Sequence, residues 1–169
     1  MAWYALYTRS RHEKKVYDQL LEKDVETFLP LTRELRQWKD RRRWVEVPLF
    51  NGYVFINIDL RYKLTALQTH GAVRLVSFGG EPTMIPDWQI EQLMQVLSNT
   101  ETVEPEDYLK IGDLVTITQG PLRGVQGYLR EKRGEWRLSI LVDGVYQSAS
   151  FVVERGIVEK VETTETENV

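Results

Sequence analysis

The chain has 169 residues, an apolar fraction of 42 %, a formal net charge of −3 at pH 7 and no cysteine. That length predicts one or two small domains, and the missing cysteine excludes a disulfide framework or a thiolate metal site. The slight acidity excludes a uniformly basic chain that binds polyanions, so charge has to be considered segment by segment. No segment approaches the roughly 18 apolar residues of a membrane span, and the first residues do not resemble a secretory signal. We therefore expect a cytoplasmic protein with no membrane partner.

The first 98 residues predict an α+β domain, an antiparallel sheet with helices mainly on one face. A strand over Ala2–Thr8 is followed by a capping-box sequence, in which Ser10 caps a helix and Glu13 reaches back to it. The remaining predicted elements alternate between strands and short helices. In chain order they are strands at Thr27–Leu31, Val45–Pro48 and Tyr53–Ile58, a helix with Leu60, Leu64 and Leu67, a strand at Val73–Phe78 and a helix from Pro86.

A strongly polar segment lies between Leu31 and Val45 and predicts a long exposed hairpin with Asp40 near its tip. Trp38 and Trp44 are interleaved with its cations. Two interpretations stay open: the hairpin is merely solvated, or its cations bind phosphates by counterion release while the rings stack on bases. The cations are Arg33, Arg36, Lys39, Arg41, Arg42 and Arg43.

The predicted strand at Tyr53–Ile58 separates aliphatic from aromatic side chains. Alternation puts Val54, Ile56 and Ile58 on one face, and Tyr53 and Phe55 on the other. If helices cover the aliphatic face, the two rings lie on the open side of the sheet, where Tyr7 of the first strand joins them. Either the rings pack under the basic hairpin, or they form an exposed apolar patch that implies a partner.

Residues 99–108 carry four carboxylates and almost no apolar side chain, which predicts a flexible acidic linker between independently folding domains. From 109 to 162, short β-rich runs alternate with turns, which predicts a small β-barrel. The last residues, 163–169, predict a frayed tail. The predicted strands of the barrel are Leu114–Thr118, Val125–Arg130, Trp136–Val142, Tyr146–Val153 and Ile157–Val161.

No segment predicts catalysis. The two histidines, His12 and His70, are far apart in sequence and have no cysteine beside them, so we expect no metal site. A phosphate-binding glycine loop and the serine motif of hydrolases are both missing from the sequence. The sequence therefore predicts a binding protein that is not an enzyme and needs no cofactor.

Residues 110–128 resemble a KOW motif, a glycine-rich β arch of NusG-type transcription factors and of some ribosomal proteins. The N-terminal half is similar to the NusG N-terminal domain at Trp3–Tyr7, Phe28–Pro30 and Pro48–Phe55. The chain thus resembles the NusG family over both halves, with a NusG-type domain at 1–98 and a KOW barrel at 109–162. The KOW positions are Gly112, Asp113, Gly120, Pro121, Gly124 and Gly127.

The resemblance implies a monomeric transcription elongation and antitermination factor that binds the clamp helices of RNA polymerase. It also implies that the KOW domain recruits a termination factor or a ribosomal protein. The implied polymerase-binding residues are Tyr7, Phe28, Phe50, Tyr53 and Phe55. The alternative is a KOW-containing ribosomal or other RNA-binding protein, against which the acidic net charge counts.

Within the family, the early Trp3 and the segment Pro48–Phe50 resemble the specialised RfaH-like antiterminators, which promote processive elongation on long operons. That resemblance implies contacts with non-template or upstream DNA. The implied nucleic-acid-binding residues are Arg9, Arg11, Thr69 and His70, joined by Arg41, Arg42 and Arg43 of the basic hairpin. The His-Thr-Thr element with which RfaH contacts the polymerase gate loop is replaced here by Tyr62–Leu64.

Overall fold

The computed structural model describes residues 1–101, 103–108 and 110–161, so the predicted tail at 163–169 lies outside the described residues. Its first half is an α+β domain built on a four-stranded antiparallel sheet, as predicted. Two small two-stranded sheets extend from this domain. The elements are β1 Ala2–Thr8, α1 Glu13–Glu22, β2 Glu26–Phe28, β3 Leu31–Trp38, β4 Arg41–Pro48, β5 Tyr53–Ile58, α2 Lys63–Leu67, β6 Ala72–Leu75, β7 Ser77–Phe78, β8 Glu81–Pro82 and α3 Asp87–Asn99.

The four-stranded sheet has the order β2-β5-β1-β6, and its two faces bury different side chains. On one face, the aliphatic residues of β5 pack with Val16 and Leu20 of α1 and with Ala66 of α2. On the other face, Ala5 and Phe55 are direct partners across β1 and β5, and they join the apolar side chains of α3. The predicted division of β5 into two faces is therefore confirmed. Two α-helices of the described domain share the aliphatic face, and α3 packs on the aromatic one.

The start of α1 differs from the predicted capping box. The N-cap residue is His12, and its side chain makes no capping hydrogen bond. The carboxylate of Glu13 is buried, and its Oε1 accepts a 2.9 Å hydrogen bond from the backbone N–H of Gly52. The predicted pairing of Ser10 with Glu13 is therefore wrong, because Glu13 instead ties the helix start to the turn before β5.

The rest of the described chain is β-rich and contains no α-helix beyond Asn99, which confirms the predicted class of the second domain. We call residues 104–161 the C-terminal β-domain. Its six strands form one antiparallel sheet of order β14-β10-β11-β12-β13-β9. They are β9 Glu104–Asp107, β10 Asp113–Ile117, β11 Gln126–Lys132, β12 Glu135–Val142, β13 Gln147–Val152 and β14 Val158–Lys160.

Gly127 lets β11 lie close against β12. A Cβ atom at this position would lie only 2.5 Å from the carbonyl oxygen of Ser139. No side chain fits there without moving the neighbouring backbone. The glycine of the predicted β arch therefore has a packing cause, which is the close approach of a second strand.

The structure differs from the expected flexible linker at four residues of the segment 99–108. Glu104–Asp107 forms β9, which pairs with β13 at the edge of the C-terminal β-domain. The side chain of Glu106 is only 6 % exposed and accepts hydrogen bonds from Arg130, Lys132 and Ser139. A carboxylate can be buried when cations and hydrogen bonds compensate its charge. Glu106, one of the carboxylates that predicted a solvated linker, thus holds β9 in place through its contacts with β11 and β12.

Candidate functional site

Five aromatic residues from β1, β2, β5 and the turn before β5 converge on one face of the N-terminal sheet, and we call them the aromatic cluster. Tyr7 and Tyr53 are register partners across β1 and β5, with ring centroids 5.5 Å apart. Phe55 lies 6.1 Å from its partner Phe28 in β2 and 6.3 Å from Phe50 in the preceding turn. These separations are typical of favourable aromatic pairs. The structure therefore brings together every residue of the predicted polymerase-binding set.

The C-terminal β-domain shares one core with four of the five rings, those of Phe28, Phe50, Tyr53 and Phe55. Phe50 and Phe55 have no exposed surface, and the core that contains them continues into apolar residues of β12 and β13. A Cβ atom on Gly144, in the turn between these two strands, would lie 3.1 Å from the Ile85 side chain and 3.8 Å from that of Ala5. Phe50 and Phe55 are therefore not an exposed patch. Tyr7 is partly buried and lines a cleft together with Thr32 and Arg33 at the base of the basic hairpin. The two domains also share one core, which differs from the independent domains expected from sequence.

Three glutamines of α3 bind the C-terminal β-domain by its main chain. Their spacing of three residues puts them on one side of the helix, beside the apolar stripe that faces the sheet. Gln89 accepts from the N–H of Asp143, Gln92 accepts from the N–H and donates to the C=O of Gln126, and Gln95 donates to the C=O of Pro121 and of Arg123, all at 2.9–3.2 Å. Sequence reasoning missed these residues because their partners lie far along the chain and are backbone atoms.

Replacement of Gln92 by alanine is expected to speed hydrogen exchange of the Gln126 amide about fivefold. That amide donates to the Gln92 side chain, and one hydrogen bond contributes on the order of 1 kcal/mol net. Glu91→Ala, on an exposed part of the same helix, is the matched control and is expected to leave the exchange rate unchanged. Equal rates in Gln92→Ala and the parent protein would contradict docking of the C-terminal β-domain on α3 through Gln92.

The loops after β1 and before β6 meet at one end of the sheet. The backbone N–H of Arg9 donates a 2.8 Å hydrogen bond to the carbonyl of Gly71. The rings of His12 and His70, distant in sequence, lie edge to face with centroids 5.8 Å apart. Arg9, Arg11 and His70 are all exposed, so they are available to a ligand. Their role in binding nucleic acid stays a prediction.

Thr69 does not belong to this exposed set. It is only 3 % exposed, and its hydroxyl accepts a 3.0 Å hydrogen bond from Lys23 Nζ and lies 3.3 Å from the carbonyl of Thr65, to which it donates. The structure therefore does not support its predicted contact with DNA. Burial of Thr69 follows from the turn of chain after α2, which packs against the end of α1.

The predicted basic hairpin is an exposed two-stranded ribbon made of β3 and β4, with its turn at Lys39-Asp40. Trp38 and Trp44 are 66 % and 64 % exposed. The three arginines Arg41–Arg43 are also exposed. At the base, the hydroxyl of Thr32 donates a 2.8 Å hydrogen bond to the carbonyl of Val103, which ties the ribbon to the segment between the domains.

The part of the chain that the structure describes holds no cluster of three or more potential metal-ligating side chains. No helix among the same residues is both long enough and apolar enough to cross a membrane. The surfaces that remain as candidates are therefore the aromatic cluster, the two basic loops and the ribbon.

A family model described as transcription termination factor nusG matches residues 1–94, which is more than half of the chain. The chain belongs to the NusG family. It is 23 % identical over 151 residues to the transcription termination/antitermination protein NusG of two Helicobacter pylori strains, an alignment that covers 81 % of this chain and 85 % of each relative. A structure described as showing domain interaction in Thermotoga maritima NusG covers 95 % of this chain and 97 % of its own, with a TM-score of 0.53 and 24 % identity. As a NusG-family protein, the chain is a transcription termination/antitermination factor.

In this NusG-family protein the predicted KOW positions surround the turn that α3 binds. Asp113 begins β10, and Gly120–Gly124 lie in the turn between β10 and β11. Asp143, at the neighbouring turn, also accepts a 2.8 Å hydrogen bond from the hydroxyl of Tyr108. Burial, together with this carboxylate, raises the pKa of Tyr108 to about 12, so the hydroxyl stays a donor at neutral pH.

Proposed function

We propose that this NusG-family protein is an RfaH-like antiterminator that binds the clamp helices of RNA polymerase and promotes processive elongation on long operons. The observation that supports the proposal is the aromatic cluster, in which five rings converge on one face of the sheet. Aromatic residues concentrated at the centre of a surface are typical of interface hot spots. We propose the clamp helices as the partner of that face.

Binding of polymerase to this face requires the C-terminal β-domain to move away. The interface is suited to that exchange, because its polar part consists of amide hydrogen bonds to main chain, and water replaces such bonds at small net cost. Its apolar part is surface that polymerase would cover in turn. We call the arrangement in which the C-terminal β-domain docks on the N-terminal sheet the closed arrangement. It hides the aromatic cluster until polymerase is present.

The other proposed contacts use surfaces outside the aromatic cluster. Arg9, Arg11 and His70, with the arginines of the ribbon, are proposed to contact non-template or upstream DNA through their phosphates. The turn between β10 and β11, which carries KOW positions, is bound by α3 in the closed arrangement. It is proposed to recruit a termination factor or a ribosomal protein once the C-terminal β-domain has left α3. We propose that the protein acts as a monomer in the cytoplasm and without catalysis.

Tyr53→Ala is expected to weaken polymerase binding about twentyfold and to reduce run-through of a terminator. Truncation of a hot-spot aromatic costs about 2 kcal/mol, and 1.4 kcal/mol corresponds to a factor of ten. Tyr53 suits the test because its side chain is only partly buried, so the fold should tolerate the loss. Purified polymerase transcribing past a terminator, with and without the protein, measures the effect.

The control for Tyr53→Ala is Phe78→Ala, which removes an aromatic ring that is 78 % exposed and lies outside the aromatic cluster. It is expected to behave as the parent protein does. Normal polymerase binding by Tyr53→Ala, or no effect of the parent protein on run-through, would contradict the proposed function.

A further inference from the structure

The ribbon of β3 and β4 has two faces that carry different side chains near its free end. Cross-strand partners share a face, and successive residues of a strand alternate between faces. We name each face by its tryptophan. The Trp38 face consists of Arg36, Trp38, Arg41 and Arg43, and the Trp44 face of Leu35, Gln37, Arg42 and Trp44.

The Trp38 face concentrates positive charge around an exposed ring. Arg36 is paired with Glu34 at 3.3 Å. Among the residues that the structure describes, no carboxylate forms an ion pair with Arg41 or Arg43. Trp38 lies directly across from Arg41, and two thirds of its surface is exposed. This face thus offers an apolar plane and two uncompensated guanidinium groups to a ligand.

The Trp38 face continues into a cleft at the base of the ribbon. The cleft has a volume of about 1060 Å³, and Arg36 lines it together with Ser10, Arg11 and Lys14. Carboxylates line it as well, namely Glu13, Glu34, Glu46 and Glu104, of which Glu34 is paired with Arg36 and Glu104 with Arg137. Below the Trp44 face, the segment after α3 approaches the ribbon, and Glu101 pairs with Arg33 at 3.3 Å. The Trp38 face therefore connects the basic ribbon to the Arg11 loop.

We propose that the Trp38 face and this cleft form one binding track for single-stranded nucleic acid. Trp38 stacks on an unpaired base, Arg41 and Arg43 bind the phosphates beside it, and Arg11 binds a phosphate at the other end. The part of the track that follows β3, from Trp38 at the free end to Thr32 at the base, is about 20 Å long. The inference rests on the proposed function and deepens it, because it names the strand state that these DNA-contacting residues bind.

A single strand fits this surface better than a duplex does. Base planes are free for stacking only where bases are unpaired, and exposed rings beside a cationic groove are how many proteins bind single strands. A β-ribbon in the major groove of a duplex contacts base edges instead. In that arrangement the indole of Trp38 would have no base plane to cover.

Binding of a short labelled oligonucleotide of mixed sequence to the full chain, followed by fluorescence anisotropy, tests the stacking contact. Trp38→Ala is expected to raise the Kd about tenfold, through loss of one stacked base. Trp44→Ala removes the same kind of side chain from the other face and is expected to leave the Kd unchanged. Equal effects of the two variants would overturn the assignment of the Trp38 face.

The phosphate contacts are tested by the salt dependence of the same binding. Each phosphate contact on a single strand adds about 0.7 to the slope of log K against log salt, so the double variant Arg41→Gln/Arg43→Gln is expected to lower that slope by about 1.4. The single variants Arg41→Gln and Arg43→Gln are each expected to lower the slope by about 0.7, whereas Arg42→Gln, which removes the same charge from the Trp44 face, is expected to leave it near that of the parent protein. Equal slopes for the three single variants would mean unspecific attraction and would overturn the track.

The form of the nucleic acid gives the third comparison. Tighter binding of a duplex than of a single strand, or binding of neither, would overturn the proposal. Single strands of DNA and RNA with the same sequence distinguish a displaced DNA strand from a transcript, and binding of either supports the track. Because the assay contains no polymerase, its failure would leave the Tyr53→Ala test of the proposed function unaffected, and the reverse also holds.

Discussion

Oxidation of the double variant Ile85→Cys/Gly144→Cys is expected to abolish its binding to RNA polymerase, and a reducing agent is expected to restore it. A Cβ atom on residue 144 would lie 3.1 Å from Ile85 Cγ1, so a sulfur near that Cγ1 position is within bonding reach of a sulfur on residue 144. The parent chain has no cysteine that would compete. The bond would fix the C-terminal β-domain over the aromatic cluster and exclude polymerase.

Each single cysteine variant serves as a control for the disulfide experiment. Gly144 has a φ of +84°, so its replacement alone strains the turn and weakens docking somewhat. Neither single variant should respond to oxidation when it is kept dilute. A quantitatively oxidised double variant that still binds polymerase with the affinity of the reduced form would show that the closed arrangement does not block the proposed site.

Phe55→Ala is expected to lower the free energy of unfolding by about 3–5 kcal/mol, which is the usual cost of removing a buried phenylalanine ring. Phe55 has no exposed surface, and its ring packs with those of Phe28 and Phe50 within the core shared by both domains. Denaturant unfolding of the full chain measures the loss. The exposed Phe78→Ala is expected to change stability by no more than about 0.5 kcal/mol.

A loss below about 1 kcal/mol for Phe55→Ala would mean that the ring is uncovered in solution and that the domains are separated. The expected large loss also changes how this variant has to be used. A Phe55 that belonged to the exposed patch left open by the sequence could be removed with the fold intact, whereas the structure buries it completely. Loss of antitermination in Phe55→Ala therefore does not isolate a polymerase contact, and the partly buried Tyr53 does so better.

The faces of the N-terminal sheet could be predicted from the sequence, but the structure over one of them could not. Alternation along β5 identified which residues share the face of Phe55, because a strand repeats every two residues. The pattern carries no information about the layer above that face. The glutamines of α3 recognise backbone atoms of the C-terminal β-domain, which leave no mark in the sequence of the partner segment.

The surroundings of three polar residues were predicted wrongly for the same physical reason: each residue binds a partner that lies far away in the chain. Glu13 was expected to cap its own helix, but Gly52 lies close enough to donate to it. Glu106 was expected to be solvated, but Arg130 and Lys132 on β11 compensate its charge. Thr69 was expected to contact nucleic acid, but it is buried and Lys23 donates a hydrogen bond to its hydroxyl. Local sequence predicts the usual surroundings of a polar residue, which are solvent or its own helix end. A partner that lies far away in the chain can bury the residue instead.

The short connection between α3 and β9 determines how strongly the C-terminal β-domain competes with RNA polymerase for the aromatic cluster. Residues 100–103 are all that separate Asn99 from Glu104, so the start of β9 stays within about 18 Å of the end of α3 even after the domain leaves. A ligand tethered by so short a segment competes at an effective concentration in the millimolar range. A dilute polymerase must therefore bind these rings far more tightly than the tethered domain does. If the protein is first bound to nucleic acid that the polymerase also holds, the local concentration of the polymerase at the rings rises in the same way.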